Sequence, residues 1–117
     1  MLKWENKTDT FAEEQRYYKN TYLEICEVYD EFLEVSIFSA MDGTFEIYVS
    51  FGSLYGIVYA DNEEAAYTLF DKIKNELETE YQKSKEPTDE FIDTFAEKYN
   101  LCLPNDIFCD FDIEDLF

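Results

Sequence analysis

Histidine is absent from this chain of 117 residues, and cysteine, glycine and proline number only three, three and two. Each scarcity closes off a class of chemistry. Without an imidazole, Cys109 has no histidine base to activate it as a nucleophile. A zinc site would have to come from cysteine and carboxylates alone, and Cys26, Cys102 and Cys109 are irregularly spaced with no Cys-x-x-Cys pair. Reduced, mostly buried thiols of a cytoplasmic protein are the expectation for these three. So few glycines leave no glycine-rich loop to cradle a phosphate. The carboxylates are plentiful, but nothing singles out a pair for acid–base work. No enzyme activity, cofactor or metal is therefore expected. Long apolar runs are missing too. Met1-Leu-Lys-Trp-Glu is followed at once by charges, so neither a secretory signal nor a membrane span is expected.

Bases are the scarcity with the largest consequence. Nine Lys and Arg face 28 Asp and Glu, a formal net charge of −19. Phosphate backbones demand the opposite sign, so direct nucleic-acid binding is effectively excluded, and binding to anionic membrane surfaces is disfavoured for the same reason. A strongly basic partner is what such a surface attracts. Between Lys19 and Lys72 the chain has eleven acids and not one base.

What is abundant is apolar and aromatic: 46% of residues are hydrophobic, with eleven Phe and ten Tyr. That suffices for one folded domain over residues 1–117 and argues against disorder. In Thr44–Phe51, Phe45, Ile47, Val49 and Phe51 alternate with Thr44, Glu46, Tyr48 and Ser50, the period of a half-buried strand. Asp42-Gly43 before it is a hairpin signal that pairs it with Phe32–Ala40. Gly52-Ser53 turns the chain into a third strand, Leu54–Ala60, where Gly56 marks a bulge or a close backbone approach. Asp61 with Glu64 resembles a capping box opening a long helix, whose stripe is Ala66, Phe70, Ile73, Leu77 and Tyr81 with Leu69 beside it. Lys83, Lys85 and Pro87 end it.

Upstream, Met1–Asp9 reads as an extended lead-in anchored by Trp4, and Thr10 with Glu13 opens another helix. The stripe Phe11, Gln15, Tyr18, Tyr22, Ile25, Tyr29 and Phe32 favours a helix running to about Tyr29. A strand over Thr21–Tyr29 is the rival, favoured by its Thr, Tyr, Ile and Val content. Downstream, Thr88 caps a short acidic helix reaching about Asn100, with Phe91, Ile92, Phe95 and Tyr99 facing inward. The expected fold is thus α+β: an antiparallel meander of three or four strands packed by a long helix, with an N-terminal helix and a short C-terminal acidic helix. An ordered acidic tail follows.

Two groups of carboxylates are candidates for partner binding. Asp89, Asp93 and Glu97 recur every four residues on the short helix, with Glu90 beside them, and Lys98 is the only base between Glu86 and the C-terminus. Asp110, Asp112, Glu114 and Asp115 interleave with Ile107, Phe108, Cys109, Phe111 and Ile113 in the tail. Asp110-x-Asp112-x-Glu114 lacks the glycine and the distal glutamate of a calcium loop. Acidity for solubility alone is the plain alternative. Against it, carboxylates lie about 6 Å apart at helical i, i+4 spacing and about 6.6 Å apart at alternate strand positions, close to successive phosphates of one nucleic-acid strand.

In size, charge and element pattern this chain resembles the DNA-mimicking inhibitors of mobile elements, the anti-CRISPR and anti-restriction proteins. The resemblance implies inhibition by occupying the basic nucleic-acid-binding surface of a nuclease, with no chemistry of its own. Two further roles fit the composition. An immunity or antitoxin-type protein would neutralise a basic toxin through aromatic hot spots. A docking module would act through the tail, whose terminal Ile-Glu-Asp-Leu-Phe resembles sliding-clamp-binding peptides without their leading glutamine.

Overall fold

The computed structural model describes residues 4–8 and 21–102. Five strands, β1 (Trp4–Asn6), β2 (Thr21–Tyr29), β3 (Leu33–Ala40), β4 (Phe45–Phe51) and β5 (Leu54–Ala60), are followed by the helices α1 (Glu63–Ser84) and α2 (Asp89–Tyr99). The strands lie side by side in sequence order, every pair antiparallel. The fold is α+β as expected, but the meander has five strands rather than three or four.

Period-two patterning fixes the register. Leu33, Phe51 and Leu54 stand abreast on β3, β4 and β5, as do Ile37, Ile47 and Val58. These residues and Val49 are buried against Ala66, Phe70, Ile73, Leu77 and Tyr81 of α1, the stripe read from the sequence. The helix starts one residue later than the capping box implied. Asn62 is its N-cap and accepts a hydrogen bond from the Ala65 N–H at 2.8 Å. Phe95 and Tyr99 of α2 extend the same core. The opposite face of the sheet also carries buried apolar side chains, Phe38, Tyr48 and Ile57.

Two corrections concern the N-terminal half. Residues Thr21–Tyr29 form a strand, not the end of a helix, and no N-terminal helix is seen among the described residues. The proposed start of that helix falls within residues 9–20, outside the described residues. A bulge explains the misleading pattern. Leu23 opposes Phe38 and Ile25 opposes Ile37, so Glu24 is an extra residue on β2. The bulge absorbs one position. Tyr22, Ile25 and Tyr29, spaced three and four apart as on a helix, therefore share one face of a strand. Eight register pairs with β3 supply the backbone hydrogen bonding that a helix would otherwise provide. Within the lead-in Trp4–Asn6 form β1, with the Trp4 ring 5.3 Å from that of Tyr29 and its Nε1–H donating to Glu78 at 2.9 Å.

After α2 the chain returns along the outer edge of β5. Cys102 and Ile57 exchange backbone hydrogen bonds of 2.9 and 3.1 Å. Gly56 is needed here, because a Cβ on it would lie 2.5 Å from the Cys102 carbonyl oxygen. Of the two readings of Gly56, bulge or close approach, the close approach holds.

Candidate partner-binding surface

The short helix α2 is held at both ends and along one side. Thr88 Oγ1 accepts a hydrogen bond from the Phe91 N–H at 3.1 Å, which caps its start as the sequence implied. Asn100 ends it in the left-handed region at φ 52°, its N–H donating to the Ala96 carbonyl. Phe95 and Tyr99 are buried, their rings 4.8 Å apart, and Phe91 sits edge-on to Phe51. The Tyr99 hydroxyl donates to Glu76 of α1. Burial, reinforced by that carboxylate, pushes the phenol well above its usual range.

This anchoring decides where the acids point. At about 100° per residue, Asp89, Asp93, Glu97 and Glu90 fall within about 100° of arc on the side away from Phe95 and Tyr99. All four are exposed. From Asp89 to Glu97 the row runs about 12 Å along the axis. Lys98 is drawn off to α1, pairing with Glu76 at 3.1 Å. None of the four acids has a salt-bridge or hydrogen-bond partner among the described residues. Like charges at this spacing repel, and no base among the described residues pairs with them.

The acids of α1 are used differently. Glu76 serves Tyr99 and Lys98, Glu78 receives the Trp4 N–H, and Glu80 accepts from Thr88 at 3.4 Å. Lys74 pairs with Glu27 of β2. These carboxylates tie elements together and do not lengthen the α2 row. Between the helices lies a small groove of about 280 Å³, lined by Glu76, Glu80 and Phe91 among others. That is at the lower limit of ordinary ligand pockets. Asp110, Asp112, Glu114 and Asp115 lie outside the described residues, so only half of the expected acidic set is placed.

Sequence reasoning passed over a second cluster. Glu24, the bulge residue, accepts a hydrogen bond from Ser39 Oγ at 2.6 Å. It also lies close enough to Tyr67 of α1 that, after burial, Glu24 and then Glu63 raise that phenol above its ordinary value. Tyr22 and Tyr67 are exposed beside them. Reading Thr21–Tyr29 as a helix hid this grouping, since it forms only when β2 runs beside β3.

Among the described residues, no group of three or more Cys, Asp or Glu side chains is arranged to hold a metal ion. No helix among them is long and apolar enough to cross a membrane. No known protein family, curated protein or solved structure matches the chain.

Proposed function

We propose that this protein is a binding protein without chemistry of its own, which occupies the basic nucleic-acid-binding surface of a nuclease or related enzyme and blocks its substrate. The observation that carries this reading is the α2 row: four exposed carboxylates on one side of a helix, none paired with a base among the described residues. A helix fixed by caps and by two buried aromatic rings presents these charges without a backbone ordering cost on binding. Asp89, Glu90, Asp93 and Glu97 then stand for phosphates, and Asp110, Asp112, Glu114 and Asp115 of the tail are proposed to extend the row. A partner shaped for a polynucleotide gains steered association and releases bound counterions on contact.

Competition against a duplex oligonucleotide for RNA-guided and restriction nucleases tests this reading. The unaltered protein should displace the duplex. The triple variant Asp89→Lys, Asp93→Lys, Glu97→Lys should lose displacement altogether. Affinity should also fall at least about tenfold between about 0.05 and 0.2 M salt, as for a phosphate backbone. Undiminished displacement by the triple variant would remove α2 from the mechanism. A nearly flat salt response would favour the immunity or antitoxin-type alternative, with its aromatic-centred contact.

A further inference from the structure

At the end of the molecule remote from the β2–β3 turn, Tyr22 of β2, Ser39 of β3, Phe45 of β4 and Ala60 of β5 stand abreast on the face that α1 covers. α1 begins three residues after Ala60, so Glu63 and Tyr67 lie on its first two turns. Glu24, the bulge residue of β2, is exposed at this end. Its carboxylate accepts from Ser39 Oγ, and it lies within electrostatic reach of the Tyr67 phenol, as Glu63 does. Tyr22 is 63% exposed and Tyr67 37% exposed, far more than the tyrosines of the core. Phe45 is half-buried beneath them. Neither Glu24 nor Glu63 takes part in an ion pair among the described residues.

Two exposed phenol rings flanking two carboxylates make a specific chemical request. Tyrosine is enriched at the energetic centres of interfaces because it buries area at low entropic cost. A ring face attracts a cation, and adjacent carboxylates attract the same cation. Arginine answers both at once: its guanidinium plane stacks on a ring while its N–H fork donates to carboxylates. Lysine offers a point charge on a strongly hydrated ammonium and fits the rings less well. A phosphate or an anionic lipid has the wrong sign.

We propose that this end of the sheet, formed by Tyr22, Glu24, Glu63 and Tyr67, is a docking surface for arginine side chains presented by a basic protein partner. It is separate from the α2 row and does not depend on nucleic-acid mimicry. The row on α2 offers charge alone, whereas this surface offers rings and charge together.

The test uses the full chain with α2 neutralised (Asp89→Asn, Asp93→Asn, Glu97→Asn), so that failure of the mimicry reading and failure of this one are told apart. Octa-arginine and octa-lysine peptides are titrated by calorimetry and by nuclear magnetic resonance of the tyrosine rings. Octa-arginine should bind more tightly than octa-lysine and shift the ring signals of Tyr22 and Tyr67. Adding Tyr22→Ser and Tyr67→Ser should weaken octa-arginine binding about tenfold, while Tyr22→Phe with Tyr67→Phe should restore it. Both positions are exposed, and circular dichroism of each variant checks that it is folded. Ring signals that do not move, equal binding of the two peptides, or a serine variant within about twofold of its parent would each overturn the proposal.

Discussion

Glu46 stands on β4 between Phe38 of β3 and Tyr59 of β5, a polar residue among large rings. Its Oε1 is buried and has no hydrogen-bond partner among the described residues. Burial first, and the nearby Asp42 second, push its carboxyl above the ordinary glutamate range. The linkage follows from the direction of that shift. Between the ordinary and the raised value, the folded state holds a proton that the unfolded state releases, so stability falls as pH rises through that window. Above it the ionised carboxylate costs its full amount, and below it the cost is gone. Glu46→Gln should therefore raise Tm at pH 7, and the gain should shrink to nothing as pH falls below the ordinary glutamate range. Melting curves of both proteins across that pH range check this. A gain independent of pH would mean that shape, not charge, is at fault. The alternation of Thr44–Phe51 put Glu46 on the polar face but could not show that this face is also buried at Tyr48.

At the scale of elements, the parts legible in the sequence were those set by local periodicity. Leu54–Ala60, the α1 stripe and the Thr88 cap stand as read, because each depends on neighbours within a few residues. The parts not legible were those decided by distant partners. β2 needed β3 to declare itself a strand, and Glu24 could be identified as a bulge only from the register across the pair. The same limit applies to α2, whose acids were legible as a row. That Lys98 leaves them for Glu76 depends on how α1 and α2 pack. Two element-level consequences can be measured. At Gly56, Ala would drive a methyl into the Cys102 carbonyl and break the strand-like contact that returns the chain to β5. Urea unfolding of Gly56→Ala should show a loss of about 1–3 kcal/mol. In the β2–β3 turn, Asp30 and Glu31 both have positive φ, 54° and 57°, with the Phe32 N–H donating to the Tyr29 carbonyl at 3.0 Å. Asp30 is tied down as the acceptor of the Tyr81 hydroxyl. Glu31 has no comparable bond among the described residues, so Glu31→Gly should relieve the strain and stabilise the fold by roughly 1 kcal/mol in the same assay.

Across the whole molecule, a formal charge of −19 on 117 residues opposes compaction, since like charges are closer in the folded state than in the unfolded chain. The described salt bridges are few and involve Lys7, Lys74 and Lys98. They leave the α2 row uncompensated. Salt should therefore stabilise this protein, whereas it weakens proteins held by surface ion pairs. Raising sodium chloride from about 0.02 to about 0.3 M shortens the screening length severalfold and should raise Tm by several degrees. The triple variant Asp89→Asn, Asp93→Asn, Glu97→Asn should start from a higher Tm at low salt and respond less steeply. The tyrosine variants Tyr22→Ser and Tyr67→Ser carry no change in charge and should keep the parent's slope. A triple variant with the parent's Tm and slope would mean that repulsion along α2 is already dissipated in solvent. A shallower slope would identify α2 as a place where stability is given up to keep negative charge on display. Such a cost persists in a protein when the charge serves a partner rather than the fold.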